Sequence, residues 1–252
     1  MISKGPPRMT TPRILRKLLA SVFKRLHLLT SGGYSVGNAY GARFLFDWRH
    51  TIDKKVALEL YEHDQIGHLI EYLDQIRADI FVDIGSHAGL YSIILKTRFP
   101  ELEVHAFEPD HTNLCQLYAN LFVNKLQSRV RVHEVGISNK AGAVSFVTSE
   151  ETDGRGTRRI SSTGNIKIQV KRLDDVLTDK NRIAAMKIDV EGHENQVVDG
   201  AQHFLNANKC LLQIESSGEN LDVLAQKLKQ FGYRFISTVG GQDHYFTNIE
   251  IS

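Results

Sequence analysis

The sequence predicts an α/β fold on an open, doubly wound, largely parallel sheet, and three observations carry that expectation. Residues 81–92, FVDIGSHAGLYS, form an apolar strand that turns through Gly85 and Gly89 and restarts as a helix. The next apolar strand, VHAF, ends at Glu108, 25 residues after Asp83, where an acidic side chain can meet the hydroxyls of a nucleotide ribose. From there strand and helix patterns alternate to a closing antiparallel pair, YRFIST and HYFTN, joined across Gly240-Gly241.

The elements follow in chain order. Residues 1–46 hold eight Lys or Arg and no Asp or Glu, leaving 23 basic against 29 acidic residues for 47–252. We read 1–46 as a basic extension and 47–252 as one domain, since 252 residues with 42% apolar side chains bury a full core without a second unit. Within the extension Thr11 can cap a helix expected to start at Pro12. Ile14, Leu15, Leu18, Leu19, Val22, Leu26 and Leu29 recur on one face, with Arg13, Arg16, Lys17, Lys24 and Arg25 between them. Three readings of residues 12–29 stay open: a helix packed on the domain, peripheral contact with an anionic membrane, or an organelle targeting segment.

Ser31 to Gly41 reads as a linker or glycine-kinked hairpin before the strand ARFLFDW, and a helix is expected over Val56–Ile76 with Leu58, Leu60, Ile66, Leu69, Ile70 and Leu73 inward. Strand IFVDI, helix Leu90–Arg98, strand VHAF, helix Thr112–Lys125 and strand RVRVHEV make a doubly wound half. Ala143–Thr148 and Ile166–Val170 alternate like a hairpin with a long polar tip, Glu150–Asn165, expected to contact an acceptor. Strand AAMKIDV, a helix over Glu194–Asn206, strand CLLQIE and a helix near Leu221–Phe231 complete the pattern. Cys115 and Cys210 form no metal spacing and fit buried thiols in a reducing compartment. With no run of 18 apolar residues, the expectation is a cytoplasmic protein.

The cofactor follows from what the turn lacks. Gly85-Ser86-His87-Ala88-Gly89 omits the middle glycine that brings backbone against a pyrophosphate, and no GxxxxGK[ST] run is present. A ligand with a base, a ribose and a non-phosphate tail fits, and S-adenosylmethionine is such a ligand. Its amino-acid end would lie over the turn of Asp83, Gly85, Ser86, His87 and Gly89, with its ribose on Glu108. Pro109, Gly136 and Ile137 would flank the base. The alternative is that the glycines only let the chain turn.

A second site lies where AAMKIDV ends in KIDVEGHE, placing Asp189, Glu191, His193 and Glu194 on the carboxyl rim of the sheet, with Glu215 beside them at the end of CLLQIE. Such a cluster can deprotonate a hydroxyl or hold a divalent cation such as magnesium. Asp189 is the first choice as base and His193 the second, with Glu191 and Glu215 orienting acceptor or metal. Helix capping by Asp189, Glu191 or Glu194 is the alternative.

The segments YEHDQIGHLIEYL, FVDIGSHAGLYS, HAFEPD, VGISNKAGAVSF, KRLDDVL and KIDVEGHENQVVDGA, over residues 61–215, resemble the FkbM-type S-adenosylmethionine-dependent methyltransferases. The resemblance implies a Rossmann-like class I methyltransferase sheet of seven strands, order 3-2-1-4-5-7-6. It also implies O-methylation of a sugar, glycan or natural-product hydroxyl. The chain departs from that family at Ser86-His87, where Ala-Asn is usual. Two other functions compete. A nucleic-acid methyltransferase would use the basic extension with Arg155, Arg158 and Arg159, although DVEGHE stands where a flipped base is normally held. A non-catalytic nucleotide-binding module is the other.

Overall fold

The computed structural model describes residues 29–147, 159–161, 164 and 166–250, together with 22, 25 and 27. A hairpin of β1 (Tyr34–Ala39) and β2 (Ala42–Asp47) comes first, turned at Tyr40-Gly41. Helices α1 (Thr51–Ala57) and α2 (His63–Ile76) lead into β3 (Ile80–Ile84), α3 (Leu90–Arg98), β4 (Glu103–Phe107), α4 (His111–Val123) and β5 (Arg131–His133). Next come β6 (Gly136–Ile137), β7 (Gly142–Val147), β8 (Arg159–Ile160) and β9 (Ile166–Lys171), then β10 (Ile183–Ile188), α5 (Glu194–Gly200) and α6 (Gln202–Ala207). The chain closes with β11 (Lys209–Glu215), α7 (Gly218–Gln230), β12 (Arg234–Val239) and β13 (Asp243–Thr247).

The main sheet runs β12-β13-β11-β10-β3-β4-β5, the 3-2-1-4-5-7-6 order, with β13 antiparallel to its neighbours. Alternation in each strand sends one set of side chains to each face, because successive Cβ atoms point oppositely. Ile80, Val82, Ile84, Met186 and Ile188 pack with Val197, Phe204 and Leu224 on one side. Phe81, Val104, Ala106 and Leu211 pack with Leu69, Leu73, Leu95 and Leu117 on the other. Both faces are therefore covered, as a parallel sheet requires.

The hairpin joins the second of these clusters through Phe44, Phe46 and Trp48. It is fixed to α4 by polar bonds: the amides of Arg43 and Leu45 donate to Asn124 Oδ1 and Asn120 Oδ1 at 2.9 and 2.7 Å. Residue 46 thus lies inside a strand of the packed body. The helix expected over 12–29 falls largely outside the described residues, and Val22 and Leu29 of its apolar face are 64% and 87% exposed. No helix among the described residues is long and apolar enough to cross a membrane. Cys210 is buried, whereas Cys115 is exposed, contrary to its expected burial.

Two expected helices are broken by tertiary contacts that periodicity does not encode. The helix over Val56–Ile76 is interrupted at residues 58–62, where Glu59 and Glu62 adopt φ of 51° and 48°. There the Tyr40 amide donates to Glu59 Oε1 at 2.8 Å and the Tyr40 hydroxyl to the Tyr61 carbonyl at 2.6 Å. Leu58 and Leu60 consequently end only half-buried. The helix over Glu194–Asn206 breaks at Ala201 because Asp174 caps the second piece, accepting the amides of His203 and Phe204 at 3.1 and 2.9 Å. The expected pair of strands at 143–170 is present as β7 and β9, and it is extended to four strands in the order β6-β9-β7-β8. Most of the tip Glu150–Asn165, including Arg155 and Arg158, lies outside the described residues.

Gly200 ends α5 against the backbone of Ser138, where a Cβ would stand 2.0 Å from the carbonyl oxygen. Alanine ordinarily stabilises a helix relative to glycine by about 0.5–1 kcal/mol. Here overpacking dominates, so Gly200→Ala should lose roughly 1–3 kcal/mol. Urea unfolding measures it, and an unchanged or raised midpoint would contradict the packing of α5 on that turn.

Candidate active site

The glycine turn after β3 is shaped by close approaches. Gly85 has φ of +83°, and a Cβ there would lie 1.9 Å from the Asp189 carbonyl oxygen. Gly89, at φ +82°, begins α3, and its Cβ would meet Leu117 Cδ1 at 2.3 Å. Between them the amides of Gly85 and Ser86 both donate to the Phe107 carbonyl at 3.0 Å, tying the turn to β4. Ser86 Oγ is buried and, among the described residues, has no hydrogen-bond partner. Asp83 accepts the Ser92 amide and hydroxyl at 3.2 and 2.7 Å, so it holds the first turn of α3; burial pushes its carboxyl up to about 6.

Glu108 follows β4 and is 4% exposed. Its two oxygens accept the amides of His87 and Asp110, at 2.9 and 2.8 Å. Burial outweighs those bonds and pushes the carboxyl up to about 7. Asp110 caps α4 by accepting the Asn113 amide at 3.0 Å. Pro109 Cγ lies 3.7 Å from where a Cβ on Gly136 would stand, and Gly136-Ile137 is held by parallel pairing with Val170 and Lys171.

The rim is carried by β10 and β11. Lys187 Nζ donates to Asp189 Oδ2 at 2.7 Å, and the Asp189 amide donates to the Ile84 carbonyl at 3.0 Å. Glu191, at φ 55°, is pushed up to about 7 by burial and then by the Asp189 and Glu194 carboxylates. Glu215 is pushed up to about 8 by burial and by Asp189. His193 Nε2 lies 2.9 Å from Ser138 Oγ, and burial lowers its pKa. Glu194 is absorbed structurally, accepting the Gly192 amide and the Asn220 side-chain amide at 2.8 and 2.6 Å. Asp189 Oδ2 is taken up by Lys187, and the N-cap residue of α5 is His193.

Turn and rim open into one cavity of about 680 Å³. Asp83, Gly85, Ser86, His87, Glu108, Pro109, Gly136 and Ile137 line it together with Asp189, Glu191 and His193, whereas Gly89 and Glu215 lie outside its wall. Tyr61, Glu62, Tyr91 and Lys187 also line it and were not singled out from the sequence. Lys187 had a visible signal, a charge inside the apolar strand AAMKIDV. Glu62 comes in through the break between α1 and α2. One oxygen from each of Glu62, Asp189 and Glu215 lies within 4.8 Å of the others, the one such grouping among the described residues that could hold a metal ion.

The family model for the methyltransferase FkbM domain matches residues 83–235. The chain belongs to the FkbM methyltransferase family. Among its relatives, hexuronic acid methyltransferase AglP of Haloferax volcanii is 28% identical over 64% of this chain and 66% of its own length. The 31-O-demethyl-FK506 methyltransferase FkbM of Streptomyces tacrolimicus is 23% identical over 69% of this chain and 78% of its own. A solved methyltransferase FkbM from Methylobacillus flagellatus is 21% identical with a TM-score of 0.47, over 68% of this chain and 43% of that one. This FkbM-family chain therefore spans less than half of that solved protein.

Because Glu191 and Glu215 sit above the ordinary 4.5 when folded, both hold a proton more readily in the native state. Their contribution to stability is full below pH 4.5 and is lost as pH rises through 7 and 8. Wild-type protein should therefore lose stability between about pH 4.5 and about pH 8 more steeply than Glu215→Gln. Parallel melting curves for the two across that window would contradict the burial of this charge.

Proposed function

We propose that the chain methylates a hydroxyl of a sugar, glycan or natural-product acceptor, using S-adenosylmethionine. The observation that carries this reading is the single cavity joining the glycine turn and Glu108 to the carboxylate rim. A nucleoside with a cationic tail suits that wall. Ser86 Oγ offers a hydrogen-bonding atom without a protein partner among the described residues, and the buried Glu108 keeps lone pairs for two ribose hydroxyls. Pro109, Gly136 and Ile137 supply an apolar surface for the base. Bound there, S-adenosylmethionine supplies a methyl on a sulfonium, whose carbon–sulfur bond breaks as an oxygen electron pair bonds to the carbon.

The chain's own part is alignment and proton removal. Holding the acceptor in line lowers most of the barrier, and a base within hydrogen-bond reach adds about 10² to 10⁴ in rate. Asp189 takes the hydroxyl proton in this reading; its position is set by Lys187 on one side and by the backbone bond to Ile84 on the other. Glu191 orients the acceptor, and Glu215 adds its carboxyl to the rim beside Glu62 and Asp189. His193 is the second choice, since its ring is already bonded to Ser138.

The test uses labelled S-adenosylmethionine with a panel of methyl hexosides and polyols. At least one should be methylated on oxygen, and Asp189→Asn should cut that turnover about 10² to 10⁴-fold with the fold intact. No transfer to any member, or a wild-type rate in Asp189→Asn, counts against the reading.

A further inference from the structure

The sheet face toward α2 and α3 carries a row of polar side chains next to the row of Phe81, Ala185 and Leu211. Asp83, Lys187, Gln213 and Tyr245 stand in register on four neighbouring strands, none more than 3% exposed. An ammonium so buried is strongly unfavourable unless paired, with a penalty of several kcal/mol. Lys187 is paired above with Asp189 at 2.7 Å and lies 4.8 Å from the centre of the Tyr91 ring. The Tyr91 hydroxyl donates to Glu62 Oε2 at 2.7 Å. Gln213 Nε2 in turn donates to that hydroxyl at 3.2 Å and to Asp243 Oδ1 at 2.7 Å. Two paths thus run from the sheet floor to two of the three carboxylates that crowd within 4.8 Å: Lys187 to Asp189, and Gln213 through Tyr91 to Glu62. Unscreened by a cation, like charges about 5 Å apart repel by roughly 3 kcal/mol per pair at an effective dielectric of about 20.

We infer that Lys187 is the positioning residue of the transfer, an ammonium anchored in the sheet that holds the Asp189 carboxylate at the acceptor's hydroxyl and offsets the charge of Glu62 and Glu215 beside it. The inference rests on the reading of Asp189 as proton acceptor. It assigns to a side chain the task that a divalent ion on Glu62, Asp189 and Glu215 would otherwise perform. Among the described residues Lys187 Nζ hydrogen-bonds neither Glu108 nor the glycine turn, so its effect falls on turnover and not on cofactor affinity.

A double-mutant cycle in the full chain tests this, with the panel member that accepts the methyl group as acceptor and S-adenosylhomocysteine as the calorimetric probe. Lys187→Met should lower kcat about 10²-fold while the probe's Kd stays within about threefold. Combined with Asp189→Asn it should be no slower than the slower single variant, because Lys187 acts through that carboxylate. If Lys187→Met does not fold, Lys187→Gln takes its place in the cycle. A wild-type kcat without the ammonium, losses that multiply in the double variant, or wild-type turnover abolished by chelator and restored by magnesium would each overturn the inference. A normal rate in Asp189→Asn defeats the assignment of the base itself, whereas loss there with a normal Lys187→Met defeats only the role of Lys187.

Discussion

Gly85 and the Asp189 carbonyl are so close that a Cβ on the glycine would sit 1.9 Å from that oxygen. The contact is set by parallel pairing of β3 and β10, which ends with Ile84 opposite Ile188 and continues one step through the bond from the Asp189 amide to Ile84. It makes the glycine turn and the carboxylate rim a single rigid unit, since neither can shift without the other. The bonds of Gly85 and Ser86 to Phe107 extend the unit to β4, and through it to Glu108. Sheet register, and not loop conformation, thereby sets the distance between Glu108 and Asp189, as expected for precise sites built on regular elements.

The second constraint is charge. Carboxylates are gathered where burial disfavours their ionised forms, and the fold meets that penalty in two ways. Glu108 is met by backbone amides, which are fixed dipoles that do not depend on side-chain identity. The rim is met by Lys187, whose own charge is favoured: burial alone would lower its pKa, and Asp189, Glu62 and Asp83 together raise it well above the usual range. Glu191 and Glu215, without so close a partner, are left proton-binding near neutrality.

Elements whose geometry is local were legible in the sequence. Helix Leu90–Arg98 occupies the expected residues because Gly89 starts it, and the sheet order follows the order implied by the family resemblance. The cavity also gathers most of the expected residues, since strand ends, glycines and acidic residues after strands are sequence signals. What stayed hidden depends on distant partners. Tyr61 and Glu62 reach the cavity only because Tyr40, in the hairpin turn, pulls the chain out of helix. Among the described residues strand β8 pairs with β7 alone, across a long connection. The departure at Ser86-His87 also becomes intelligible. Residue 87 is left-handed, φ 50°, a conformation that asparagine tolerates better than histidine, yet its amide still reaches Glu108.

We propose that the cavity beside Glu108 holds the nucleoside of the methyl donor. Calorimetric titration of wild type and Glu108→Ala with S-adenosylhomocysteine tests it most directly. The wild type should bind, and the variant should lose about 1.5–3 kcal/mol for each ribose hydrogen bond removed. Equal affinity in a folded Glu108→Ala protein would contradict it.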